Sequence, residues 1–184
     1  MTGLDREEYR VLRETIGRRG TVRPVLMLTG TVAWAAILTA VLLWFPYPLA
    51  SVIPLIVLLS TFEALRPLHF GTERLGRYLQ VFYEEAGENR PLAEVPSWEK
   101  LAMVFGTALP GAGGHPLFVP VFGMATLVNY LAVVLPGPVA IEMWSLAVPH
   151  LALLVWLVVN DRAVRLQRAV ELAKFRALRD GKTA

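Results

Sequence analysis

Apolar and polar positions are blocked along this chain rather than mixed. Four apolar runs stand out, from about Val25 to Phe45, Leu49 to Leu65, Leu117 to Leu135 and Met143 to Val159. Each is close to the roughly 20 residues a helix needs to cross about 30 Å of hydrocarbon. The links Pro46-Tyr47-Pro48 and Pro136-Gly137-Pro138 leave room only for tight turns. The pattern predicts an all-α polytopic membrane protein with four transmembrane helices arranged as two hairpins, over 25–65 and 117–160. Segments 1–24, 66–116 and 161–184 carry the polar residues and predict amphipathic cytosolic helices, the whole forming a single membrane domain.

Within the polar segments the apolar residues recur at helical spacing. Leu4, Val11, Leu12 and Ile16 mark a first helix, which Gly17 to Gly20 is expected to stop. The charged lead is long and no small-residue cleavage site follows, which argues against a cleavable signal peptide. Thr72 is a candidate N-cap for a helix to about Ala86, with Leu75, Tyr78, Leu79, Phe82 and Ala86 on one face. Glu73, Arg74, Arg77, Glu84 and Glu85 would then face water. Ser97 is a candidate cap for a short helix to Leu109. A last helix is predicted to open at Asn160-Asp161, with Leu166, Val170, Ala173 and Ala177 as its apolar stripe. That stripe suits the membrane surface or the other cytosolic helices.

Composition sharpens the class. A hydrophobic fraction of 55% over 184 residues and a mean hydropathy of +0.50 exclude an ordinary soluble domain. Cysteine is absent, which removes disulfides, thiolate nucleophiles and Cys metal sites. Lys and Arg number 18 against 15 acids, and the basic residues are interleaved with acidic ones, which argues against nucleic-acid binding. All 18 fall in the three polar segments and none in the two turns. By the positive-inside rule both termini then lie in the cytoplasm. The dominance of Arg over Lys suggests a GC-rich bacterial genome, and the chain is read as a bacterial cytoplasmic-membrane protein. The Arg-rich ends suit contacts with membrane lipids, anionic head groups included.

Two polar side chains interrupt the second apolar pair. Counted at about 1.5 Å per residue, Asn129 and His150 both lie roughly 15–18 Å from the cytoplasmic ends of their runs. Polar groups at such depth are costly and mark either a helix–helix seam or a functional path. They are predicted to face each other. Glu63 and Arg66 form a candidate ion pair at the membrane boundary. His69, Glu73 and Arg77 share a helix face if the helix begins early enough, and with Gly113, Gly114 and His115 they form a candidate cytoplasmic surface site. Backbone N–H groups of Gly111 to His115 could hold a phosphate or lipid head group, but no Gly-Lys-Ser/Thr follows, so the stretch is not a nucleotide loop. One His and one Glu make a poor metal site.

The two halves also repeat weakly. Arg23-Pro24 corresponds to His115-Pro116, and Ser51 with Pro54 to Ser145 with Pro149. With no catalytic triad, carboxylate pair, metal cluster or cofactor motif in view, the sequence points to a structural or accessory subunit that assembles with itself or a membrane partner. A small oligomeric transporter or channel with Asn129 and His150 on its path is the alternative. A lipid-modifying enzyme using His69, Glu73 and His115 is a third reading.

Overall fold

The computed structural model describes residues 3–45, 47–85, 118–137 and 140–181. Among them the secondary structure is helical throughout. Helix α1 spans Gly3–Trp44, followed by a 3-10 turn over Pro48–Ser51. Helix α2 spans Val52–Leu79 and ends in a π-helical turn over Gln80–Glu84. Helix α3 is Phe118–Val134, and α4 is Ala140–Arg179. Helices α1, α2 (with its flanking turns) and α4 are each long and apolar enough to cross a membrane, and α3 is a shorter apolar helix. The predicted Ser97–Leu109 helix and the Gly111–His115 stretch, with Gly113, Gly114 and His115, lie outside the described residues.

Three predicted breaks are absent. Helix α1 runs through Gly17 to Gly20, α2 through Pro67 and Gly71, and α4 through Asn160-Asp161. In α2 and α4 the reason lies in a stripe of buried positions. In α2 it reads Leu58, Phe62, Leu65, His69, Thr72 and Leu79, an unbroken alternation of three- and four-residue steps apart from one skipped turn. Pro67 lies off that stripe and is exposed. In α4, Leu146, His150, Leu153, Leu157 and Asn160 are buried, and the half-buried Val164, Gln167, Glu171 and Phe175 continue the same spacing. Packing along one face keeps a helix going where local propensity alone would end it. Thr72 is therefore no cap: its hydroxyl donates to the Leu68 carbonyl at 2.7 Å, back into the turn before it. Pro54 falls in the first turn of α2, where no donor is needed. Gly137 closes α3 with φ 101°, the left-handed geometry that glycine adopts most readily after a helix.

The chain divides into two compact units, and the division cuts through α1, α2 and α4. One unit comprises Arg23–Arg66 and Leu117–Arg162. Its core gathers Leu55, Leu58, Phe62, Leu65, Phe122, Ala125, Leu153 and Leu157. The Phe62 and Phe122 rings meet edge to face with centroids 5.6 Å apart. Gly30 of α1 sits so close to Thr61 of α2 that a Cβ built there would collide with its side chain, coming within 2.9 Å of the Thr61 Cβ. The outside of this unit is as apolar as its inside: Val25, Leu28, Val32, Ile56 and Leu151 are all exposed. Its buried polar residues include Ser51, Thr126, Asn129 and His150. Such a distribution suits a surface that meets hydrocarbon.

The other unit comprises Met1–Val22, Pro67–Pro116 and Ala163–Ala184. Here Arg–carboxylate pairs and aromatic ring contacts join the helices. Glu171 accepts from Arg74 through both Nε (3.0 Å) and Nη2 (2.7 Å) and pairs with Arg77 Nη2 at 2.8 Å. Glu85 holds Arg176 and Arg179, each at 2.8 Å. Arg13 reaches Glu84 at 2.9 Å, and Tyr78 and Phe82 meet Phe175 edge to face. Leu79 is fully buried, as its stripe predicts. Arg77, Glu84 and Glu85 depart from the prediction that they face water: their side chains are 5%, 9% and 9% exposed. Leu166 and Val170 of the predicted α4 stripe are 73% and 66% exposed, so that stripe does not pack on the other described helices. The inward face of this part of α4 is the one bearing Glu171 and Phe175, because ion pairs and rings hold this unit together.

Candidate functional site

The Asn129 carboxamide stands at the centre of a buried polar cluster in the more apolar unit. Its Nδ2 donates to the Ser51 carbonyl at 3.0 Å and lies 2.8 Å from His150 Nε2. Its Oδ1 accepts from Trp34 Nε1 at 3.2 Å. His150 Nδ1 lies 2.7 Å from the Leu146 carbonyl. Asn129 is wholly buried and His150 is 3% exposed. Elements from four parts of the chain meet here: α1 brings Trp34, the turn before α2 brings Ser51, and α3 and α4 bring Asn129 and His150. The Tyr130 ring covers the imidazole with centroids 5.3 Å apart.

Only one placement of hydrogens satisfies every contact. Trp34 Nε1 can only donate, so the amide oxygen must face it. The Ser51 carbonyl can only accept, so the amide nitrogen must face that. The second Nδ2 hydrogen then points at His150 Nε2, which must accept. The imidazole proton therefore sits on Nδ1 and goes to the Leu146 carbonyl, which can only accept. A second proton on His150 would set N–H against N–H at Nε2. Flipping the amide to relieve that clash would oppose acceptor to acceptor at Ser51 and donor to donor at Trp34. The cluster is a closed hydrogen-bond set built around a neutral histidine. The Ser51 hydroxyl beside it is buried and has no hydrogen-bond partner among the described residues.

Glu63 and Arg66 pair at 3.2 Å, and α4 completes a second ring around them. Trp156 Nε1 donates to Glu63 Oε1 at 2.8 Å, and Arg66 Nη1 donates to Asn160 Oδ1 at 3.0 Å. The Arg66 guanidinium lies 5.6 Å from the centre of the Trp156 ring. Asn160 Nδ2 donates to the Trp156 carbonyl at 2.9 Å, so Asn160 bridges α2 and α4 where the sequence suggested a helix start. Trp156 and Asn160, four residues apart, escaped the sequence reading, as did Trp34 and Ser51. Tryptophan in an apolar run reads as bulk until its N–H is assigned a partner.

His69, Glu73 and Arg77 do share a face of α2, because α2 has no break before them. Arg77 pairs with both Glu73, at 3.5 Å, and Glu171, and His69 is 6% exposed. Among the described residues no three His, Asp or Glu side chains gather as a metal site would need. In the unit that holds His69, two carboxylates, Glu85 and Glu171, are held ionised. Hydrogen bonding from Arg176 lowers the Glu85 pKa below its ordinary 4.5, with the charges of Arg176 and Arg179 adding to it. Burial pushes Glu171 upward, but hydrogen bonds from Arg74 and Gln167 and the charges of Arg77 and Arg74 outweigh it, and the net shift is downward. Hydrogen bonding to Glu8 raises the Tyr83 phenol. Set against protein-family models, curated proteins and solved structures, the chain matches none of them.

Proposed function

We propose that this chain is a bacterial cytoplasmic-membrane protein crossing the bilayer four times as two hairpins, with both termini in the cytoplasm. We propose further that its role is structural: an accessory subunit that assembles with itself or with a membrane partner. Three features support the topology. Every Lys and Arg lies outside the apolar runs and their turns. The outward positions of Arg23–Arg66 and Leu117–Arg162 are apolar. Helix α3, with 17 residues, is about 25 Å long at 1.5 Å per residue, close to the hydrocarbon thickness.

The observation that carries the structural role is the saturation of the Asn129–His150 cluster. Both amide hydrogens of Asn129 and both ring nitrogens of His150 are engaged, so neither side chain has a donor left for a passing ion and the imidazole has no site left for a second proton. A transport path needs binding that is favourable but exchangeable; this cluster fits a fastener between helices better. The enzymatic reading finds no support in His69 and Glu73, since Glu73 is engaged by Arg77 and His69 is buried.

The test is proton flux. Full-length protein reconstituted in liposomes with an imposed pH gradient should dissipate it no faster than empty liposomes, and His150→Leu should change nothing. A flux that His150→Leu abolishes, with the variant still folded, would establish the transport reading instead.

A further inference from the structure

Helices α2 and α4 leave between them a groove of about 540 Å³, lined by Val52, Leu55, Ile56 and Leu59 on one side and by Pro149, Ala152 and Leu153 on the other. Buried Leu55 and Leu153 form its floor, and exposed Ile56 and Ala152 its rims. Glu63 and Trp156 stand at one end. We propose that this groove holds one acyl chain of a phospholipid whose zwitterionic headgroup carries a primary ammonium. The proposal rests on the membrane reading above and names the class of lipid the site selects.

The dimensions suit one acyl chain. From Val52 to Glu63 is 11 residues of α2, about 16 Å at 1.5 Å per residue. That is close to half of the roughly 30 Å hydrocarbon core, the depth of one leaflet. A polymethylene chain of that length fits within a groove of about 540 Å³.

Charge selects the headgroup. At the groove's end the Glu63 and Arg66 side chains are 35% and 36% exposed and 3.2 Å apart. Trp156 and Asn160 hold them in place. A lipid phosphate beside Arg66 and an ammonium beside Glu63 would each meet an opposite charge, with N–H hydrogens for the carboxylate to accept. A phosphatidylglycerol headgroup offers Glu63 no cation. A trimethylated one offers it no N–H donor.

Full-length protein is incorporated into vesicles of phosphatidylethanolamine, phosphatidylglycerol and phosphatidylcholine in equal amounts with identical chains. It is then extracted in mild detergent, and retained lipid is counted by native mass spectrometry. One lipid per chain is expected, with phosphatidylethanolamine enriched about tenfold, the ratio one good charge-assisted hydrogen bond gives. Ala152→Leu, at an exposed rim, should fill the groove and abolish retention. Glu63→Gln should keep a lipid but lose the headgroup preference. No retained lipid, retention unchanged by Ala152→Leu, or a dimer that Ala152→Leu dissociates would each overturn the proposal. Failure of the membrane reading is separate: the protein would then leave the membrane fraction on alkaline extraction.

Discussion

Asn129 Nδ2 lies 2.8 Å from His150 Nε2 while its other hydrogen is committed to the Ser51 carbonyl. The two side chains are therefore coupled, and their substitutions should not add. Asn129→Leu strands the Trp34 N–H, the Ser51 carbonyl and His150 Nε2, and should cost about 1–3 kcal/mol. His150→Leu strands one amide hydrogen and should cost less, about 1 kcal/mol. The double Leu variant should fall short of the sum. Unfolding in mixed micelles followed by circular dichroism measures all three, and strict additivity would show that the contact contributes nothing.

Two glycines of α1 should respond in opposite directions. Gly30 has no room for a Cβ because Thr61 occupies it, whereas Gly17 has nothing within 4 Å. Gly30→Ala should destabilise by about 1–3 kcal/mol through overpacking. Gly17→Ala should stabilise by up to about 1 kcal/mol through helix propensity. The same micelle unfolding reads both, and equal effects would mean that α1 and α2 are not this close.

Glu85 gives a prediction that the sequence alone would have reversed. Read from spacing it faces water and Glu85→Ala is silent; in the structure it gathers Arg176 and Arg179. Its removal should cost about 1–2 kcal/mol. The folded pKa values of Glu85 and Glu171 lie below the ordinary 4.5. Their stabilisation is thus fully present above pH 4.5 and is lost as pH falls through the folded values. An acid titration of thermal stability should show this loss, reduced in Glu85→Ala; identical acid profiles for the two proteins would contradict it.

Leu79 and Leu166 offer a further contrast. Leu79 is wholly buried and Leu166 is 73% exposed. Leu79→Ala should cost about 2–5 kcal/mol, and Leu166→Ala should stay within about 0.5 kcal/mol. Thermal melts of the two variants decide it, and a large loss at Leu166 would show that this face of α4 is packed.

The helices themselves were legible in the sequence because long apolar runs leave no alternative to helix. Their ends were not. Glycine, proline and asparagine at positions 17, 20, 67, 71 and 160 carry local stop signals, and those at 67, 71 and 160 lose because a buried stripe continues on both sides. The stripe through Leu58, Phe62, Leu65, His69 and Thr72 was visible as spacing, but His69 and Thr72 read as polar and hid it. The meeting of Asn129 with His150 followed from matched depth on neighbouring runs. The partners that lock it, Trp34 and a backbone carbonyl of Ser51, come from 95 and 78 residues away and left no local trace. The same holds for Trp156 and Asn160 around Glu63 and Arg66.

The central claim, four crossings with both termini inside, is tested most directly by reporter fusions to the full chain. Fusions after Phe45 and after Gly137 should report the outer side, and fusions at Asn89 and Ala184 the cytoplasm. A cytoplasmic signal at either Phe45 or Gly137 would contradict the account.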